Sequence, residues 1–333
     1  MINITLDEVF ELALAAALKS GANHKNATSL ARSIREAEAE GLRKVGLGFL
    51  PFYCDHLISG AIAGDAIAEI HDESPSVVQV DAKNGLAHPA FDLAAERLYA
   101  KSRECGLAAM SVKNAYYNGV EGYFVRRMAK QGLLGFACSN ATAMVSPYGG
   151  KHPTFGTNPL AFAVPRLNTE PLVIDFSTSA TAFVNVAGAA ANNETIPDTW
   201  ALDTEGKPTT DPNAGMAGSL QPLGGPKGTG LGLMVEILAA GLSGSAWSIE
   251  VPQFDTASSI PPRLGQFYMS IDPSRFGNPN LLSRLEVMLE EMLSQENVRL
   301  PGDKRNNSRY KTELKGVDVE DALYATVQSY TGS

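Results

Sequence analysis

"SVVQVDAKNGLAHPAFDLAAERLYAKSRECGLAAMSV", residues 76–112, reads as a strand, a helix and a second strand. "SVVQV" and "LAAMSV" are short and apolar, whereas "PAFDLAAERLYAKSREC" between them carries helix formers and is closed by Gly106. This alternation predicts an α/β layer. The rhythm continues through "GYFVRRMAKQ", closed by Gly132, then "LLGFACS", "PLAFAVP", "LVIDFS" and, much later, "GQFYMSI".

On the N-terminal side, Thr5 with Glu8 three residues on predicts a capping box and a helix that Gly21 stops; a second helix is expected from Asn26 to Gly41. The stretch "EAEGLRKVGLGFLPFYCDHLISG", residues 38–60, then places Lys44 in a turn between apolar neighbours. A cation just past a helix C-terminus is favoured by the dipole, so Lys44 either serves that helix end or faces a site. On the C-terminal side, Leu281, Leu282, Leu285, Met288, Leu289 and Met292 mark one apolar helix face. "VRLPGDKRNNSRYK" reads as a basic, broken loop, and "DVEDALYATVQSY" as a last short helix. The polar tract "NNETIPDTWALDTEGKPTTDPNAG", within residues 188–220, reads as a long loop.

With 333 residues, 44% hydrophobic and 19% charged, the chain can bury a sizeable core. A net charge of −9 and a pI near 5.1, without a basic run, argue against nucleic acid or an anionic membrane as partner. Cys54, Cys105 and Cys138 are odd in number and form no C-x-x-C, and the five histidines have no ligand spacing, so neither a disulfide frame nor a metal site is expected. "LALAAAL" near the N-terminus has no basic flank and is far shorter than the roughly 20 residues of a membrane span, so a cytoplasmic protein is expected.

The strongest chemical signal is "LGGPKGTGLGLMVEILAAGLSG", where Gly224, Gly225, Gly228 and Gly230 precede an apolar helix and Lys227 stands among them. Backbone N–H groups and an ammonium can converge there on a phosphate or carboxylate. It is neither a Walker A motif nor a Rossmann glycine fingerprint. Small polar residues at Thr157, Asn158, Ser177, Thr178 and Ser179 offer ligand contacts or helix caps, with Ser177 or Thr178 able to start the "SATAF" segment. No serine or cysteine nucleophile pattern occurs.

"GTNPLAFAVPR", "DFSTSATA", "GGPKGTGLGLMVEILAAGLSG" and "LPGDKR", in this order, resemble the malate/L-lactate dehydrogenase type 2 family over nearly the whole chain. The resemblance implies a non-Rossmann NAD(P)-binding fold of α/β (α+β) class. It places a helical substrate and dimerisation unit at residues 1–74 plus 278–333, an NAD(P)-binding unit at 75–277, and a homodimer. It assigns the cofactor, NADPH with NADH as the alternative, to four segments: Tyr116, Tyr117, Asn118, Gly119 and Val120; Asp175, Phe176 and Ser177; Pro226 and Lys227; and Arg299, Leu300, Pro301, Gly302, Asp303, Lys304 and Arg305. In the last loop, Lys304 and Arg305 are expected to read a 2′-phosphate. Thr157 falls on a substrate contact, and Phe183 and Val184 line the substrate.

Where the family carries a Ser, a proton-donating His, a carboxylate-binding Arg and an orienting Asp, this chain has Lys44, Val45, Phe49 and Asn185. Reduction of a 2-oxo acid builds an alkoxide that needs a proton, whereas a protonated cyclic imine brings its own. The missing His therefore points to a cyclic ketimine, Δ1-pyrroline-2-carboxylate or Δ1-piperideine-2-carboxylate, with Lys44 taking the substrate carboxylate. The alternatives are a 2-oxo-acid reductase drawing its proton from His152 or Tyr148, and a dinucleotide-binding member without turnover.

Overall fold

The computed structural model describes residues 1–72 and 74–332. The chain opens with β1 (Ile2–Ile4), α1 (Leu6–Lys19) and α2 (His24–Ala39). The capping box forms, with Glu8 N donating to Thr5 Oγ1 at 3.1 Å and Thr5 N to Glu8 Oε2 at 2.7 Å. The second helix begins two residues earlier than expected, because Asn23 is its cap and accepts from Asn26 N at 2.9 Å. Asn26 instead turns its amide inward onto the carbonyls of Gly64 and Ala66.

Next come α3 (Leu50–Ser59), β2 (Glu69–His71), β3 (Val77–Asp81), α4 (Ala87–Cys105), β4 (Leu107–Ala115), α5 (Glu121–Lys130), β5 (Leu134–Ser139), β6 (Leu160–Val164), β7 (Leu172–Phe176) and α6 (Phe183–Ala191). After α6 the tract expected to be a long loop is structured, which corrects that reading. It forms β8 (Ala201–Leu202), β9 (Pro208–Thr209), α7 (Pro212–Ala217) and β10 (Ser219–Leu220) around Val145, Phe155, Val186 and Ile196. Its polar residues build turns: Asp203 Oδ1 accepts from Glu205 N and Lys207 N, both at 2.9 Å, and Asp211 caps α7.

The remaining elements are α8 (Pro226–Glu236), which runs into a π-helical turn at Ile237–Gly241, then β11 (Leu264–Ile271), α9 (Leu281–Leu293), α10 (Asp303–Lys315), β12 (Val317–Val319) and α11 (Asp321–Ser329). Two readings change here. Gly228 and Gly230 lie inside α8, not ahead of it, and a Cβ on Gly228 would stand 2.2 Å from the Leu223 carbonyl oxygen. The basic segment is a loop only as far as Gly302, whose φ of 84° turns the chain into α10.

The main sheet has seven strands in the order β2-β3-β4-β11-β5-β6-β7, with β3 and β4 parallel and every other pair antiparallel. Helices α4 and α5 cover one face, burying Phe91, Leu98, Phe124 and Met128 against Val78, Met110 and Tyr268. A second core joins the chain ends: α1, α2 and α3 pack with β12 and α11 through Leu30, Ile34, Tyr53, Val317 and Val327, and β1 pairs with β12.

Charged groups hold these two cores together. Glu40, just past α2, stands 3.0 Å from Arg126 Nε of α5 and accepts from Arg309 Nη2 of α10 at 3.1 Å. Arg309 also reaches Glu36 at 2.7 Å, and Arg126 reaches Glu170 and Asn306. All three central groups are buried. Removing one partner of such a set leaves uncompensated charge in the interior, at a cost of about 3–5 kcal/mol. Glu40→Ala is therefore expected to lower unfolding free energy by about that amount, measured by urea denaturation.

Candidate active site

Two of the segments expected to hold the cofactor, and the start of the helix that follows a third, meet at the end of β7. Asp175 Oδ2 accepts from Gly122 N, in the first turn of α5, at 3.0 Å and from Arg305 Nη1 at 2.5 Å, while Arg305 Nη2 donates to the Asp175 carbonyl. The carboxylate thus occupies the N-terminus of α5, where free N–H groups and the dipole favour an anion. Arg305 balances it and lies 4.0 Å from Glu40 as well. Its guanidinium is therefore committed inside the protein. Lys304 and Arg299 are exposed and have no side-chain partner among the described residues.

The strand end then passes to the fourth segment. Thr178 N donates to Thr157 O at 2.9 Å, and Thr178 O accepts from Leu223 N at 2.8 Å, just before α8. Ser177 and Thr178 do not start a helix; α6 begins at Phe183 after Ala182. Helix α8 has no side-chain cap: its N-cap is Gly225, with φ of 68°, and a Cβ on Gly224 would meet nothing within 4 Å. Pro226 fills the first position, and Lys227 is exposed without a partner among the described residues. Uncapped N–H groups beside an unpaired ammonium fit a phosphate group of a dinucleotide.

Within the segment Tyr116 to Val120, side chains turn inward. Tyr116 donates to His56 Nδ1 at 2.5 Å, and His56 Nε2 donates to the Asp255 carbonyl at 2.8 Å, which fixes the ring's tautomer. Tyr117 pairs with Thr142, and Asn118 is buried. Only Gly119 is exposed in this run, so backbone is what the loop offers a ligand. In the last loop Leu300 is likewise core, and Asp303 Oδ2 accepts from Leu300 N.

Lys44 does not serve the end of α2. That end is closed by Leu42 N donating to Ala37 O with Gly41 at φ 73°, so the helix-terminal reading is corrected. Lys44 Nζ instead donates to Val184 O at 3.2 Å, reaching from the turn before α3 to the first turn of α6. Phe183, Val184 and Asn185 stand there, with Asn185 Nδ2 bound to Thr181 Oγ1 at 3.1 Å. Phe49 belongs to an aromatic cluster with Phe52, Tyr53 and Phe254, ring centroids 5.1–6.0 Å away. His152 is exposed, and its ring has no partner among the described residues.

Residues 4–328 match the family model described as malate/L-lactate dehydrogenase. The chain belongs to that family. A (2R)-3-sulfolactate dehydrogenase (NADP(+)) from Chromohalobacter salexigens is 41% identical over 99% of this chain and 98% of its own. A Δ1-pyrroline-2-carboxylate reductase from Ancylobacter novellus is 34% identical over 98% and 97%. The crystal structure of Δ1-piperideine-2-carboxylate reductase from Pseudomonas syringae superposes with a TM-score of 0.94 at 32% identity, covering 99% of this chain and 100% of that one. The malate/L-lactate dehydrogenase fold, a mixed α/β sheet without the Rossmann turn, is therefore that of this chain, and the family is NAD(P)-dependent.

Sequence reading missed Glu121, Glu40 and Glu236. Glu236 accepts from Asn158 Nδ2 and Ser248 Oγ, both at 2.7 Å, and from Ser248 N at 2.6 Å, and so holds the turn that follows Thr157. Each of the three reads in sequence as an ordinary helical acid; only burial distinguishes them. Among the described residues no helix is long and apolar enough to cross a membrane, and no group of three or more His, Cys, Asp and Glu stands where it could hold a metal ion.

Because Lys227 is exposed and unpaired, Lys227→Ala should raise the Kd for NADPH more than tenfold, about 1.4 kcal/mol, without moving Tm. Arg305→Ala, by contrast, should lower Tm, since it strips Asp175 of its partner. Fluorescence titration and thermal unfolding of the two variants check the pair.

Proposed function

We propose that this chain is an NADP(H)-linked oxidoreductase of the 2-hydroxy-acid/2-oxo-acid type, with a small anionic substrate held between the turn at Lys44 and the first turn of α6. The observation that carries this reading is the Lys44 ammonium on Val184 O, beside Phe183, Val184 and Asn185. Similarity to the sulfolactate dehydrogenase supports it. A bound nicotinamide supplies or takes the hydride. The protein's part is to orient the substrate and handle charge and proton. An ammonium has three donors, so Lys44 can keep Val184 O and still offer a proton to a substrate oxygen. As the oxo oxygen gains negative charge, that donor strengthens and protonates the developing alkoxide. This assigns to Lys44 the acid role that Val45 cannot fill, and leaves the exposed His152 outside the chemistry. Thr157 and Asn185 supply polar contacts, while Phe49 and its aromatic neighbours exclude water. Lys304 and Arg299, rather than the committed Arg305, are the cations left to meet a 2′-phosphate.

Reduction of a cyclic ketimine is the second reading. Val45 at the proton-donor position favours it, as does similarity to the Pseudomonas syringae reductase. The two differ in what Lys44 does. As an acid in oxo-acid reduction, its replacement in Lys44→Met should cut kcat by about 10²–10⁴ with a smaller effect on KM. As a carboxylate clamp for an imine that arrives protonated, the same change should raise KM and leave kcat within a few fold. Steady-state rates with 3-sulfopyruvate and with Δ1-pyrroline-2-carboxylate, each with NADPH, decide. Faster turnover of the imine by the unmodified enzyme would overturn the first reading, and turnover of neither would sink both.

A further inference from the structure

Behind the loop formed by residues 116–120 lies a closed polar cluster that the chemistry above does not use. Glu121, the first residue of α5, is 1% exposed. Its Oε1 accepts from Asn118 Nδ2 at 2.8 Å, and its Oε2 has no hydrogen-bond partner among the described residues. Asn118 is held from two further sides: Ser139 Oγ donates to Asn118 Oδ1 at 3.2 Å, and His88 Nε2 donates to the Asn118 carbonyl at 3.0 Å. The hydroxyl of Tyr268 and Nδ1 of His88, both buried, are also unpartnered among the described residues. The side chains that anchor Asn118 are all buried.

The start of α5 already carries one negative group. Asp175 sits on Gly122 N, and Arg305 is bound to it. Among the described residues no cation is paired with Glu121, since Arg305 is engaged by Asp175 and Glu40. The groups around Glu121 are the Asp175 carboxylate from β7, Cys138 and Ser139 from β5 and the Tyr268 phenol from β11, while His88 from α4, on the Asn118 carbonyl, is buried and its protonation is pushed down to about 4 by burial. A buried carboxylate that lies close to a second one and has no cation of its own is costly to ionise, so Glu121, whose Oε2 is unpartnered, holds the proton.

We infer that Glu121 acts as a neutral carboxylic acid that positions the cofactor loop, locking Asn118 and through it the backbone of Gly119 and Val120. This rests on the reading of residues 116–120 as a cofactor segment. Burial, with the nearby Asp175 as a lesser cause, pushes the Glu121 carboxyl up to about 7, so the lock is intact below neutrality and loosens above it. On ionisation the proton leaves to water, and the anion, unpaired beside Asp175, is driven toward solvent. Because the folded value is raised above the ordinary one, the protein binds a proton more tightly folded than unfolded. Stability from this group is present at acid pH and lost as pH rises from about 4.5 to about 7.

The test is the Kd for NADPH, by nucleotide fluorescence, in wild-type and Glu121→Gln protein from about pH 6 to about pH 9. Gln keeps the acceptor for Asn118 and cannot ionise, so the ratio of wild-type to variant Kd should rise about fivefold or more across that range. The ratio removes the titration of the nucleotide's own phosphate. A ratio that stays constant overturns the inference. If Glu121→Gln fails to fold by circular dichroism, Asn118→Ala takes its place, with the same slope expected to vanish. Failure of the underlying reading looks different. If NADPH binds but neither Lys227→Ala nor Gly119→Val weakens it, the cofactor lies elsewhere, whereas weakening by both with a constant ratio dismisses only Glu121.

Discussion

Glu40 is the point on which the two cores depend. It stands at the end of a helix from one core and meets Arg126 of α5, in the other, and Arg309 of α10, which comes from more than 260 residues further along the chain. Hydrophobic burial makes each core but does not fix how one is oriented on the other. A buried carboxylate shared by two guanidiniums does so, because charge in a dry setting tolerates few arrangements. The same lattice reaches Asp175, at the end of β7, through Arg305.

Asp175 explains how a dinucleotide enzyme manages without a glycine fingerprint. In the Rossmann arrangement a helix start after a strand is kept open for pyrophosphate. Here the helix start after β4 is filled from within by the Asp175 carboxylate. The start of α8 is left without a side-chain cap, and its glycine cap and lysine were visible in the sequence.

Much of this was legible in the sequence. Strands β3 to β7 and β11, helices α1, α4, α5, α9 and α11, and the glycine turn at α8 follow from periodicity and punctuation, which are local. Other features were not. The tract after α6 was hidden because turn-forming residues also build hairpins, and only packing on Val145 and Phe155 tells which. Helix α10 looked like a loop because Pro301 and Gly302 precede it, although they start it rather than break it. Arg305 reads as a free cation, and its partner Asp175 lies 130 positions away, beyond any spacing rule. Lys44 shows the same limit: the turn it occupies was evident, but α6, which it reaches, is 140 residues distant.

The place of β11 bears on how the protein is made. Strands β2, β3 and β4 form one run and β5, β6 and β7 another, and Leu264–Ile271 joins them by pairing with both β4 and β5. A chain growing from its N-terminus therefore carries two half-sheets whose inner edges, later the middle of the molecule, stay bare until most of synthesis is over. Bare edges invite pairing with other chains, and long-range strand pairing is slow. Until β11 is made, those edges of the nascent chain are what must be kept from other chains.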